Sequence, residues 1–205
     1  GTPGLGEQLP PGQRYIKRFI IYSALGIPEV DLASYRLRIT GLVGRELEYR
    51  YEDLLDRLPR ISYVADFHCV TGWSVREVSW EGVPIRWLAE QAAVSPEAKW
   101  VLFHCIDGYS APVPVEDALS EKSIVAVKMN GAVLSPENGF PCRPFIPHLY
   151  GWKSAKHLRE IEFSAEYVDG FWEMQGYHER GDVWAEERFK EGFGKHVKRS
   201  PLLRR

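Results

Sequence analysis

The chain has 205 residues, 44% of them hydrophobic and 13% aromatic, which is ample material for the core of one domain. A net charge of −2 and a pI near 6.4 lack the basic surface of a nucleic-acid binder, and no apolar run approaches the roughly 18 residues of a membrane span. The three cysteines, Cys69, Cys105 and Cys142, form no CxxC pair and no zinc spacing, so reduced thiols and a cytoplasmic setting are expected. Because the chain opens at Gly1, export behind a removed leader is the alternative.

The first 14 residues, rich in Gly and Pro, have little to bury and read as an arm lying on the surface or disordered. Tyr35 to Gly41 alternates with period two and predicts a half-buried strand closed by glycine. Tyr51 to Pro59 predicts a short amphipathic helix ended by proline. Ile61-Ser62-Tyr63-Val64-Ala65, β-branched and aromatic, reads as a strand leading to Cys69. Trp80-Glu81-Gly82-Val83-Pro84 reads as a turn into a helix over Ile85 to Ala93, with Ile85, Leu88, Ala89 and Ala92 on one stripe. Trp100 to Cys105 predicts a short apolar strand, followed by an Asp107-Gly108-Tyr109-Ser110 turn. Ile124 to Met129 predicts a buried strand with an Asn130-Gly131 hairpin turn behind it, and Leu158 to Phe163 alternates again.

Strands this irregular, joined in places by short helices and elsewhere by hairpins, favour an α+β fold with mixed sheets over a doubly wound parallel sheet. No repeat, GxGxxG or Walker sequence supports a nucleotide site. Gly170 to His178 is aromatic and glycine-punctuated, and Asp182 to Phe189 predicts a short capped helix. The stretch from Lys195 to Arg205 reads as a basic, solvated tail.

Two stretches carry chemistry. In Asp66-Phe67-His68-Cys69-Val70-Thr71-Gly72-Trp73-Ser74 a thiol sits at a strand end among polar neighbours, where it is available for thiolate chemistry. In the segment from Asn138 to Leu158, three prolines and two glycines hold the chain extended and turned, leaving backbone N–H groups without ladder partners. Arg143, Lys153 and Lys156 add positive charge beside the Ser154 hydroxyl, and that combination suits an anion such as phosphate.

The pairing of DFHCVTGWS with MNG…PENGFPCRPFIPHLYGWKSAKHL resembles the molybdopterin-binding domain of the sulfite oxidase superfamily, and most closely its small single-domain oxidoreductases. The likeness runs from about Arg18 to Phe189 and includes the ending GYHERGDVWAEERF. It implies one molybdopterin-binding domain over residues 1–205, with the sulfite oxidase-type fold of mixed β-sheets and short helices. It also implies the molybdenum cofactor (Moco), whose metal takes the Cys69 thiolate beside two dithiolene sulfurs from molybdopterin. By position, Asn138, Arg143, Ser154, Ala155 and Lys156 match cofactor contacts, as does His104. Arg18-Phe19-Ile20 matches a segment that closes over the pterin. Tyr109 falls where sulfite oxidases carry an active-site tyrosine, and His68, beside the ligand, is placed to hydrogen-bond cofactor or substrate.

Sulfite oxidases grip their dianion with arginines shortly after the cysteine, whereas this chain has Thr71, Gly72 and Trp73 there, with Arg76 as the first arginine. The pattern after Cys69 is closer to bacterial methionine-sulfoxide reductase catalytic subunits of the same superfamily. The expected activity is therefore two-electron oxygen-atom transfer on a small sulfoxide or N-oxide, with electrons from an unidentified protein partner. Sulfite oxidation, with Arg76 or Lys153 supplying the grip, and a non-catalytic molybdopterin-binding module are the alternatives. A hydrolase built on Cys69 and His68 is disfavoured, because neighbouring strand residues point to opposite faces. Too little chain follows the core for the dimerisation domain of larger sulfite oxidases, so a monomer is expected.

Overall fold

The computed structural model describes residues 8–192. Its strands are β1 (Arg14–Ile16), β2 (Leu37–Gly41), β3 (Leu47–Tyr49), β4 (Ile61–His68), β5 (Trp73–Pro84), β6 (Trp100–Cys105), β7 (Ser110–Pro114), β8 (Ile124–Met129), β9 (Ala132–Val133), β10 (Arg143–Phe145) and β11 (Leu158–Ser164). They form two sheets, one of order β3-β2-β11-β6-β7 and one of order β1-β5-β8-β10 with β4 also on β5 and β9 also on β8. The β2–β11 and β1–β5 pairs are parallel and the rest antiparallel, so both sheets are mixed and the fold is α+β.

Helix α1 (Ile85–Ala92) buries Ile85, Leu88, Ala89 and Ala92, the stripe its spacing predicts. With Leu37, Ile39, Val101, Phe103, Ile161 and Phe163 of the five-stranded sheet it makes the main core. A second, aromatic core lies on the other sheet, where the Trp80 and Phe145 rings stack at 3.7 Å and Phe67 packs beside both. A third cluster, Val70, Tyr150, Trp152, Tyr177, Val183 and Phe189, joins the C-terminal segment to the turn after β4. α2 is a single turn over Val115–Ala118.

Three local expectations are corrected. Trp80–Pro84 is the end of the 12-residue strand β5 and not a turn, because Val78, Trp80 and Val83 bury in the sheet. Gly82 stands there for close approach: a Cβ would lie 2.1 Å from the Val125 carbonyl oxygen, at a register shift between β5 and β8. Asp182 does cap the following chain, accepting from the N–H groups of Trp184 and Ala185, but Glu186 enters the left-handed region at φ 53° and no helix propagates. Finally, the end of the N-terminal arm is anchored: Pro10 is buried, and Arg14–Ile16 pairs with Trp73–Val75. The basic tail expected over 195–205 lies outside the described residues.

Candidate functional site

Cys69 opens the tight connection from β4 to β5. Its N–H donates to the Trp73 carbonyl (2.9 Å), the Gly72 N–H donates to its carbonyl (3.0 Å), and Gly72 supplies the φ of +107° that closes the turn. The thiol is half-buried, with Sγ 3.1 Å from Thr71 Oγ1. Burial pushes its pKa up; the Thr71 hydrogen bonds and the positive charge of Arg188 act the other way.

Cys69 faces a cavity of about 600 Å³. One side is formed by Phe19 to Gly26, a segment without regular structure, and the other by Trp152, Trp172 and Tyr177. Phe67 and Trp73 line the same space. Phe19 packs its ring on Phe67 at 5.1 Å, and Tyr22 reaches Trp172 across the opening at 6.1 Å. Gly151 lets the lining close up, since a Cβ there would lie 2.3 Å from the Phe67 ring.

The predicted anion loop lines the same cavity. Arg143 is buried and donates to Ser154 Oγ (2.8 Å), to the Ser154 carbonyl (3.1 Å) and to the Asn138 carbonyl (3.1 Å). Lys156 Nζ donates to the Glu137 carbonyl at 2.8 Å. Neither cation has a carboxylate partner among the described residues. Burial accordingly lowers the pKa of Arg143 to about 10; burial and then the Arg143 charge lower that of Lys156 to about 8. Asn138 Oδ1 is buried without a hydrogen-bond partner. One buried and one half-buried cation without a counter-ion, with an orphaned amide oxygen on the same loop, suit a phosphate together with a hydrogen-bond donor, both of which a phosphate-bearing pterin carries. Cys69 offers the cavity a single soft thiol donor, which suits a metal whose other ligands arrive with a cofactor.

Of the residues singled out from the sequence, the cavity brings together Phe19, Cys69, Tyr109, Asn138, Arg143, Ser154, Ala155 and Lys156. Tyr109 donates its hydroxyl to the Trp152 carbonyl at 2.5 Å, and burial keeps its pKa well above the usual value. Three residues are not brought in. His68 is buried on the other side of the strand, its Nδ1 2.7 Å from Ser74 Oγ, and burial lowers its pKa. His104 pairs with Glu162 at 2.9 Å on the five-stranded sheet, and Arg18 is exposed away from the lining. The pleat accounts for His68, which alternates with the cysteine beside it.

Sequence reasoning missed Gln13, Arg188, Trp172 and Tyr177. The Gln13 amide donates to the carbonyls of Cys69 (3.0 Å) and Trp73 (3.1 Å) and to Ser74 Oγ (3.0 Å). Arg188 donates to the Val70 carbonyl, to the Pro11 carbonyl (2.9 Å) and to Gln13 Oε1 (2.8 Å). Both ends of the described chain thus fasten the cysteine turn. The aromatic run around Gly170 was the available signal for Trp172 and Tyr177; for Gln13 and Arg188 no local signal exists.

Fold and site together place a single thiol and a loop carrying Arg143 and Lys156 on one shared cavity. The chain matches, over residues 24–172, the family described as the oxidoreductase molybdopterin binding domain, and it belongs to that family. It is 42% identical over 183 residues to the uncharacterized oxidoreductase YuiH of Bacillus subtilis, covering 89% of this chain and 92% of that one. It is also 32% identical to the protein-methionine-sulfoxide reductase catalytic subunit MsrP of Campylobacter jejuni, over 72% of this chain and 55% of that relative. Among solved structures it resembles the sulfane dehydrogenase SoxCD of Paracoccus pantotrophus, with TM-score 0.65 and 26% identity over 74% of this chain and 42% of that one. The protein is a sulfite oxidase-like, molybdopterin-dependent oxidoreductase, and its cofactor is Moco.

Proposed function

We propose that this oxidoreductase carries out two-electron oxygen-atom transfer, reducing a small neutral sulfoxide or N-oxide at the Cys69 end of its cavity. In that reaction the oxide, two protons and two electrons give the sulfide or amine and water. Cys69 would hold the metal, and Arg143, Lys156, Asn138 and Ser154, with the N–H groups of Ala155 and Lys156, would hold the pterin phosphate. The cofactor supplies the two-electron chemistry, and the protein supplies binding, orientation and exclusion of water.

The observation that carries the choice of substrate is the charge distribution of the lining. Arg143 and Lys156 are its Arg and Lys residues, and both are committed to the phosphate loop. The two substitutes for an arginine grip are elsewhere. Arg76 is stacked over Tyr15 at 4.0 Å, and Lys153 is buried against Glu173 at 3.0 Å. Arg188 spends its donors on backbone carbonyls, Gln13 and Glu186. A sulfite dianion would lose hydration there without paired donors, whereas a neutral oxide fits the aromatic walls and needs one or two donors for its oxygen. The Tyr109 hydroxyl, protonated and lining the cavity, is one such donor once it leaves the Trp152 carbonyl.

The relative named a methionine-sulfoxide reductase supports the reductive direction; the resemblance to a sulfane dehydrogenase favours oxidation as the second reading. A side-by-side assay of molybdenum-loaded protein decides between them. Oxide reduction with an artificial donor and little sulfite turnover is expected; sulfite turned over far more efficiently than any sulfoxide or N-oxide contradicts the proposal. The three free cysteines support a cytoplasmic setting, where an external electron-transfer protein would supply the electrons.

A further inference from the structure

We propose that Thr71 is a positioning residue for the metal's sulfur ligand: its hydroxyl donates a hydrogen bond to the Cys69 sulfur and so sets the reduction potential of the centre. The inference rests on Cys69 being the ligand and is independent of which substrate is reduced.

Thr71 Oγ1 lies 3.1 Å from Cys69 Sγ. In a free thiol either atom can donate, but a metal-bound thiolate carries no proton, so there the hydroxyl must be the donor. The contact is held by more than its own strength. The Cys69–Trp73 turn is closed by two backbone hydrogen bonds, Gln13 grips the carbonyls of Cys69 and Trp73, and Arg188 grips that of Val70. Thr71 itself is exposed to the cavity and contributes nothing to the core, so packing does not account for its hydroxyl.

Reduction raises the electron density on metal and sulfur together. A hydrogen bond to the sulfur strengthens with that density and therefore favours the reduced state. Removing it lowers the potential. It also raises the sulfur lone pairs in energy, which moves the sulfur-to-metal charge-transfer absorption to longer wavelength.

The test uses the molybdenum-loaded full chain and two variants. Thr71→Val keeps the shape and removes the hydroxyl; Thr71→Ser keeps the hydroxyl. Thr71→Val should move the charge-transfer band to longer wavelength. It should also shift the equilibrium with a redox mediator by up to about tenfold toward the oxidised centre, about 30 mV for a two-electron couple. Thr71→Ser should restore both toward wild type. An unchanged band and unchanged potential in Thr71→Val, with only KM altered, would make Thr71 a substrate contact and overturn the proposal. A Cys69→Ser control separates the levels: a band that survives it removes the ligand and the inference together, whatever the substrate assay shows.

Discussion

At Arg143 and Lys156 two positive charges sit on one loop with no carboxylate between them, a costly arrangement unless an anion joins them. A charge-assisted bond to phosphate contributes roughly 1.5–3 kcal/mol, so Arg143→Ala should weaken cofactor retention by about ten- to a hundredfold on dilution. Full molybdenum and pterin occupancy after extensive dilution would count against that assignment. Lys156 adds a pH dependence. With a pKa near 8 in the empty site it is cationic below that pH and neutral above it. Capture of molybdopterin or inorganic phosphate by cofactor-free protein should therefore be strongest below pH 8 and decline above it. Calorimetric titration across that range checks the point, and Lys156→Met should flatten the profile. A decline that persists in Lys156→Met belongs to another group.

Among the elements, the β4–β5 hairpin is the one whose tip carries the thiol, and the segment around Glu173 is the one that completes the wall opposite Phe19 to Gly26. Glu173 ties that segment down: its carboxylate is fully buried against Lys153 Nζ at 3.0 Å and accepts from the Trp152 indole at 2.7 Å. Removing one partner of a buried pair costs about 3–5 kcal/mol because the other charge is left alone. For a chain of this size Glu173→Ala should lower Tm by roughly 6–20 °C, read by calorimetry. A change under about 2 °C would mean the pair is not holding the segment. Strands with clear alternation, such as Leu37–Gly41 and Leu158–Ser164, were legible in the sequence, as was the apolar stripe of α1. The end of β5 was not, because Gly82 and Pro84 are also turn residues; what fixes them is the β8 backbone, with Gly82 against Val125 and Pro84 paired with Ile124, in a strand distant in sequence.

In the whole molecule, the site is where distant parts of the chain meet. That the cysteine motif and the loop from Asn138 to Lys156 belong to the site was legible because each concentrates its polar and charged groups within a short run, and both line the cavity. Gln13 and Arg188 were not, since their partners lie across separations of 56 and 118 residues, which no local pattern records. His68 is suggested by its place beside Cys69 and His104 by position in a resembling family, and the pleat and the Glu162 pairing carry them away from the cavity. In the proposed reading these parts serve one end, a metal held by Cys69 on a cofactor anchored through its phosphate by Arg143 and Lys156. The most direct test compares wild type with Cys69→Ser, both expressed with ample molybdate, by pterin content and visible absorption. The account predicts that Cys69→Ser stays folded and retains pterin through Arg143 and Lys156 but loses the sulfur-to-metal charge-transfer band and turnover. A variant that keeps the band and the activity would contradict it.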